Sequence, residues 1–130
     1  MATNIPSTLS YTAEHEWAQD LGGGVIAVGV TDYAQDSLGD ITYLELPEVG
    51  AAVTQGATFG VIESVKTFSD LYAPVSGEIV ERNEAVVGDP AVINNDAYGH
   101  WLVKIRVSDP AQLGGLLNAG AYEQLLATQG

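Results

Sequence analysis

Short β-branched runs, each closed by Gly, Pro, Asn or Asp, recur along most of the chain, and this punctuation constrains the fold more than any other feature. The segments 22–30 (GGGVIAVGV), 40–46 (DITYLEL), 57–65 (ATFGVIESV), 68–73 (FSDLYA), 77–83 (GEIVERN) and 101–107 (WLVKIRV) read as strands. Strands this short, with turn residues between them, belong to an antiparallel sandwich or barrel. Alternation within 40–46 places Ile41, Tyr43 and Glu45 on one face and Thr42, Leu44 and Leu46 on the other. The glycines at 22–24 do not open a helix in a G-x-G-x-x-G pattern, so they read as a hairpin turn.

Helix signals are few. Thr31 is a fitting N-cap, Asp32 suits the first turn and Gly39 is a C-terminal stop, which predicts a short helix near 31–38. Asp89 and Pro90 open at most one helical turn over 89–94. Asp109 and Pro110 start a C-terminal helical segment over about 109–128. Gly120 is expected to interrupt it, with a second short helix from Ala121 to about Thr128. Leu113, Leu116, Leu117, Tyr122, Leu125 and Leu126 would supply its buried stripe.

A faint internal repeat lays 39–50 (GDITYLELPEVG) over 77–88 (GEIVERNEAVVG). Gly39, Ile41, Val49 and Gly50 match Gly77, Ile79, Val87 and Gly88, and Asp40 matches Glu78. The repeat predicts two similar β-units related by a pseudo-twofold axis, with the segment 51–76 between the copies.

The whole of 1–130 fits one domain, with its core over about 11–107. An apolar fraction of 46% supplies that core and excludes intrinsic disorder. Asp and Glu number 17 against four Lys and Arg, for a net charge of −13. Nucleic acid and anionic membrane surfaces would repel such a chain, while basic protein partners would be steered toward it. The same charge also serves as a plain solubility coat. The absence of Cys removes disulfides and thiolate chemistry and fits a cytoplasmic location. The first residues lack both a basic and an apolar segment, so no signal or transit peptide is expected as the chain stands, and no apolar run is long enough to span a membrane. A mitochondrial location would require that a transit peptide had been removed.

Nothing in the chain assembles a catalytic or metal site. His15 and His100 lack the spacing of a zinc helix, and there is no G-x-S-x-G or third partner for a triad. Trp17 and Trp101 read as core residues, and Lys104 and Arg106 as the wet face of a strand.

Lys66 stands out because it lies between the strand-like segments 57–65 and 68–73. With Lys66 and Thr67 in the turn, Val65 would face Phe68, Glu63 would face Asp70 and Val61 would face Tyr72. The alternative, with Glu63 opposite Phe68, packs less well. In either register the lysine projects into water between Glu63 and Asp70. Catalytic lysines are desolvated or sit beside another cation, so nucleophilic catalysis by Lys66 is not expected. A protruding lysine on a stiff hairpin suits recognition and acylation by another enzyme, which would cancel its charge and lengthen the arm. The plainer alternative is a solubilising tip residue.

Segment 60–84 (GVIESVKTFSDLYAPVSGEIVERNE) resembles the lipoyl-attachment region of the glycine cleavage system H-protein family. Segments 14–17 (EHEW), 28–50, 94–105 (NNDAYGHWLVKI) and 108–113 (SDPAQL) resemble the same family in the same order, so that the resemblance runs from about Tyr11 to about Leu126. The pieces ESVK, LPEVG and APVSGE, in order and at this spacing, make it specific. One departure is Phe68, at a position more usually given to a small residue.

The resemblance implies a mainly β fold, the barrel-sandwich hybrid of lipoyl and biotinyl carriers, with the short helix and C-terminal helices as additions. It implies a carrier, not an enzyme, with lipoate in amide linkage on Lys66 and no metal. Its partners would be a pyridoxal-phosphate glycine decarboxylase, a tetrahydrofolate-dependent aminomethyltransferase, a flavin-linked dihydrolipoyl dehydrogenase and the lipoate-attaching enzymes. The aminomethyl-loaded arm would fold into a cleft of its own carrier. Because that group is cationic, Glu16 and Asp70 are the leading candidates to hold it, followed by Glu14 and Glu63, with His15 lining the cleft. Three other readings compete: a lipoyl domain of a 2-oxoacid dehydrogenase, an H-like relay passing lipoyl groups onward, and an interaction module with an unmodified lysine. A biotin carrier would flank the lysine with Met, where this chain has Val65 and Thr67.

Overall fold

The computed structural model describes residues 5–129. In chain order, β1 (Ser10–Tyr11), β2 (Glu16–Gly22) and β3 (Val25–Val30) are followed by α1 (Asp32–Leu38). Next come β4 (Ile41–Glu45), β5 (Ala52–Val53), β6 (Thr58–Ser64), β7 (Phe68–Tyr72) and β8 (Gly77–Arg82). Helices α2 (Glu84–Gly88) and α3 (Val92–Asn95) precede β9 (Val103–Val107), and a 3-10 segment (Pro110–Gly115) leads to α4 (Ala119–Gln129).

The strands form two antiparallel sheets, one ordered β1-β2-β3-β9-β8-β5 and the other β4-β6-β7. Between them lies the main core, which includes Ile26, Val28, Ile41, Leu44, Ile62, Leu71, Val75, Ile79 and Ile105. A second cluster of Tyr11, Trp17, Ala27 and Tyr122 is covered by Leu117, Leu125 and Leu126 from the C-terminal segment. Trp17 fits there because its β-partner is Gly29: a methyl group on Gly29 would stand 2.6 Å from the indole. The β2–β3 hairpin turns through Gly22, Gly23 and Gly24, all at positive φ, which glycine adopts without penalty.

Several expectations need correction. Strand β4 does not alternate cleanly, because the register shifts between Ile41 and Tyr43; Ile41 and Leu44 are both buried while Thr42 and Tyr43 are exposed. Gly120 does not interrupt the C-terminal helix, which runs through it, because Asn118 starts the helix by accepting from Ala121 N. The residues before it form the 3-10 segment, and Leu113 and Leu116 join the main core. The repeat is matched at its start, where Ile41 and Ile79 are both buried, but not at its end: 46–50 is an irregular loop and 84–88 is α2. Strand β2 and helix α2 were not expected. Lys104 and Arg106 pair across the ladder with Glu81 at 3.1 Å and Glu78 at 3.3 Å, as wet-face cations should. Among the described residues no helix is long and apolar enough to cross a membrane.

Candidate functional site

Lys66 is exposed at the β6–β7 turn, and that turn is held by its neighbours. Ser64 N donates to Thr67 O at 2.8 Å, while Ser64 Oγ accepts from Lys66 N at 3.4 Å and Thr67 N at 3.2 Å. Val65 N donates to Asp40 O at 3.1 Å, which ties the turn to the residue before β4. The two turn residues are therefore Val65 and Lys66, not Lys66 and Thr67. Glu63 faces Phe68 and Val61 faces Asp70, which is the register the packing argument disfavoured. The serine hydroxyl supplies the turn with bonds that outweigh a Val65–Phe68 pair, and the shift separates the Glu63 and Asp70 carboxylates. Val65 and Phe68 are left 71% and 67% exposed.

Arg82 pairs with Glu84 at 2.8 Å, and Lys104 and Arg106 have the partners given above. Lys66 makes no ion pair among the described residues. Its stem lies over Gly39: a methyl group built there would sit 3.3 Å from Lys66 Cε. Gly39 has φ 80° and closes α1, so glycine serves both the cap and the close approach.

Beside the turn is a cavity of about 190 Å³ between α1, β6–β7 and the loop before β2. Glu14, His15, Glu16 and Asp70 line it, with Tyr33, Ser37, Thr67 and Ser69, over an apolar floor that includes Val30, Leu38, Ile62 and Leu71. Glu63 does not line it; its strand partners are Tyr43 and Phe68 on the outer side of the sheet.

Thr12 shapes the acidic wall. Its hydroxyl accepts from Glu14 N at 3.3 Å and Glu16 N at 3.1 Å and donates to Glu16 Oε1 at 2.5 Å. Glu16 Oε2 accepts from Tyr72 N at 3.2 Å. The Glu16 side chain is 1% exposed, and burial pushes its carboxyl from the ordinary 4.5 up to about 7, although the bonds from Thr12 and Tyr72 pull the other way and the Glu14 charge adds a smaller push upward.

His15 has φ 71°, a left-handed conformation uncommon for a side-chain-bearing residue. Its Nδ1 lies 2.8 Å from the Tyr122 hydroxyl, which also lies 2.8 Å from Thr31 Oγ1. Thr31 caps α1 by accepting from Ala34 N at 3.2 Å. Tyr122, buried and stacked on Tyr11 with centroids 4.7 Å apart, thus joins α4 to both the cavity wall and the start of α1. Thr31→Ala removes the cap and one partner of a buried hydroxyl, so it is expected to cost about 2 kcal/mol in urea unfolding. A cost below about 0.5 kcal/mol would show that the junction is not held this way.

Sequence reasoning missed Thr12, Tyr33, Ser37 and Ser69. The N-cap at Thr31 was the signal for α1, but nothing local tells that Tyr33 and Ser37 turn toward the cavity. Thr12 lies four residues before Glu16 in a polar stretch, where a side chain returning to backbone N–H groups is a recognisable turn device.

The arrangement offers an acylatable amine beside a compact cavity whose wall carries three carboxylates, Glu14, Glu16 and Asp70, among hydroxyl groups, which suits a tethered cation. The sequence model of the family described as Glycine cleavage H-protein matches residues 9–129. The glycine cleavage system H protein of Myxococcus xanthus is 53% identical over 127 residues, covering 97% of this chain and 98% of the relative. That of Escherichia coli is 50% identical over 125 residues, covering 95% and 97%. A crystal structure of a glycine cleavage system H protein from Mycobacterium marinum superposes with a TM-score of 0.87 at 44% identity, covering 95% of this chain and 99% of that one. Sequence and fold thus agree over nearly the full length, and the chain belongs to the glycine cleavage H-protein family, whose members are lipoyl-carrying shuttles and not themselves enzymes.

Proposed function

We propose that Lys66 is the lipoyl-bearing lysine of this shuttle, that the cavity lined by Glu14, His15, Glu16 and Asp70 shelters the loaded arm, and that the whole chain works as one carrier domain in the cytoplasm. The observation that carries the reading is the position of Lys66: an exposed amine, outside any ion pair among the described residues, at the rim of an acid-lined cavity. Lipoate fits this site: the turn leaves the amine open to an attaching enzyme, and the cavity has an apolar floor for a hydrocarbon arm. Its dithiolane, when bound, supplies the sulfur chemistry that carries the aminomethyl group and passes electrons onward, so the protein needs no Cys of its own.

The protein's own residues bind and shield. Glu16, on β2, faces the cavity, and Asp70, which pairs with Val61 on the outer face of the edge strand β7, borders it at that edge; the two would hold a cationic group between them. Tethering replaces diffusion between enzymes with a high local concentration. The partners that fit are the pyridoxal-phosphate decarboxylase, the folate-dependent aminomethyltransferase, the dihydrolipoyl dehydrogenase and an enzyme that attaches lipoate.

Incubation with lipoate, ATP and a lipoate ligase, followed by intact-mass measurement, tests the attachment site. A mass gain is expected in the wild type, and its absence would overturn the reading. Reconstitution with the three enzymes then separates the shuttle from a relay, which would be lipoylated but support no glycine-dependent turnover. Asp70→Asn should leave lipoylation intact and speed spontaneous loss of the carried aminomethyl group about fivefold, as expected for losing about 1 kcal/mol of charge contact. An unchanged release rate would remove Asp70 from the shelter.

A further inference from the structure

Residues paired across neighbouring strands share a face of the sheet, and successive residues alternate between faces. Leu44 of β4, Ile62 of β6 and Leu71 of β7 are buried in the core, so the opposite face of this sheet carries two cross-strand rows. One is Tyr43–Glu63–Phe68 and the other Glu45–Val61–Asp70. Among the described residues the exposed large hydrophobic side chains are Leu21, Tyr43, Val49, Val65 and Phe68. Tyr43, Val65 and Phe68 gather on this face or at the turn that ends it. Exposed aromatic and aliphatic groups clustered in this way mark an interaction surface.

Charge decides what it fits. Glu45, Glu63 and Asp70 lie among the apolar groups, and Lys66 is the only basic residue of this sheet and its turn. We propose that the face from Tyr43 across Glu63 to Phe68, with Val65 at its tip, is the docking surface for the enzyme that loads the arm with the aminomethyl group, met there by an apolar pocket rimmed with Arg or Lys. The proposal rests on Lys66 being the root of the arm. An enzyme that admits an arm rooted there must bring the mouth of its channel over the turn, where Val65 and Phe68 stand most exposed. The face also reports its own modification. Amidation of Lys66 removes the single cation and leaves three carboxylates unopposed, so a cation-rimmed partner binds the amidated carrier more tightly than the bare one. The first enzyme to use a freshly lipoylated carrier gains from that distinction.

The test measures binding of the unlipoylated full chain to purified glycine decarboxylase. Lys66→Gln, neutral like the amide, is expected to bind about fivefold more tightly than Lys66→Arg at low salt, with the difference shrinking as salt rises to about 0.5 M. The double variant Val65→Ala, Phe68→Ala should weaken binding about tenfold with an unchanged melting temperature. Leu21→Ala, an exposed apolar residue in the other sheet, should change nothing. Equal affinities for Lys66→Gln and Lys66→Arg, or wild-type binding by the double variant, would overturn the docking face. The mass gain on Lys66 is read separately: its loss sinks the carrier assignment, whereas equal affinities with an intact mass gain sink only the surface.

Discussion

Lys66→Arg is expected to abolish lipoyl attachment and all shuttle activity while leaving the fold untouched. Arginine keeps the positive charge and a long stem, but its guanidinium is not the primary amine that an acyl donor requires. The turn does not depend on the lysine side chain. Its bonds run from Ser64 N and Oγ to the backbone of Lys66 and Thr67, and from Val65 N to Asp40 O. A stability change below about 0.5 kcal/mol is therefore expected, as for a surface substitution away from packed groups. Intact mass after incubation with ligase should show no gain, and glycine-dependent turnover should fall to background. Retained lipoylation would place the attachment elsewhere, and a collapsed melting curve would mean that the stem is needed for packing.

The second large effect is a pH dependence that Glu16→Gln removes. The folded-state pKa of Glu16, about 7, lies above its ordinary value of 4.5. Below 4.5 the group is protonated in both states and contributes no difference. As pH rises from 4.5 to 7 the unfolded chain releases this proton while the folded chain keeps it, so stability falls across that window and levels off above it. The gap corresponds to about 3 kcal/mol. Glutamine cannot ionise. It loses part of the bonding to Thr12 and Tyr72 at every pH, which is a constant offset of about 1 kcal/mol. The stability of Glu16→Gln relative to wild type should therefore rise by about 3 kcal/mol between pH 4.5 and 7.5 in urea titrations. A flat difference would show that the carboxylate is already ionised in the folded protein at low pH. In the loaded carrier the ionised form is the one that attracts a cation, so release of the aminomethyl group should slow as pH rises through about 7 in wild type and lose that dependence in the variant.

Local chemistry made much of this legible. β-Branched runs between turn residues gave most of the strands, Thr31 and Gly39 bounded α1, and the lysine between two runs marked the tip. Features that depend on distant partners were not readable. The turn lacks Asn-Gly or Asp-Gly, so cross-strand pairing is the register signal that the sequence offers, and the bonds to the Ser64 hydroxyl override it. Strand β2 shows no alternation because Glu16, Trp17 and Ala18 are all buried: Glu16 and Ala18 pair with Val30 and Val28 on the side of the core and the cavity, and Trp17 pairs with Gly29 under the C-terminal segment, before the strand runs out into solvent. The importance of Glu16 was expected from resemblance, but its burial was not, since one of its two bonds comes from Tyr72, far along the chain. Nearness to Lys66 in sequence points to Glu63 for the cleft, yet it stands on the outer face of the central strand β6, whereas Asp70, on the same face, lies on the edge strand β7 that borders the cavity.

The bond from Val65 N to Asp40 O has a consequence for every enzyme the carrier serves. It ties the root of the proposed arm to the body of the protein, so the turn adds little to the arm's travel. Reach is then capped by the length of the modified side chain. Catalytic centres that differ in every other respect would then share one upper limit of depth below the surfaces against which this turn is pressed.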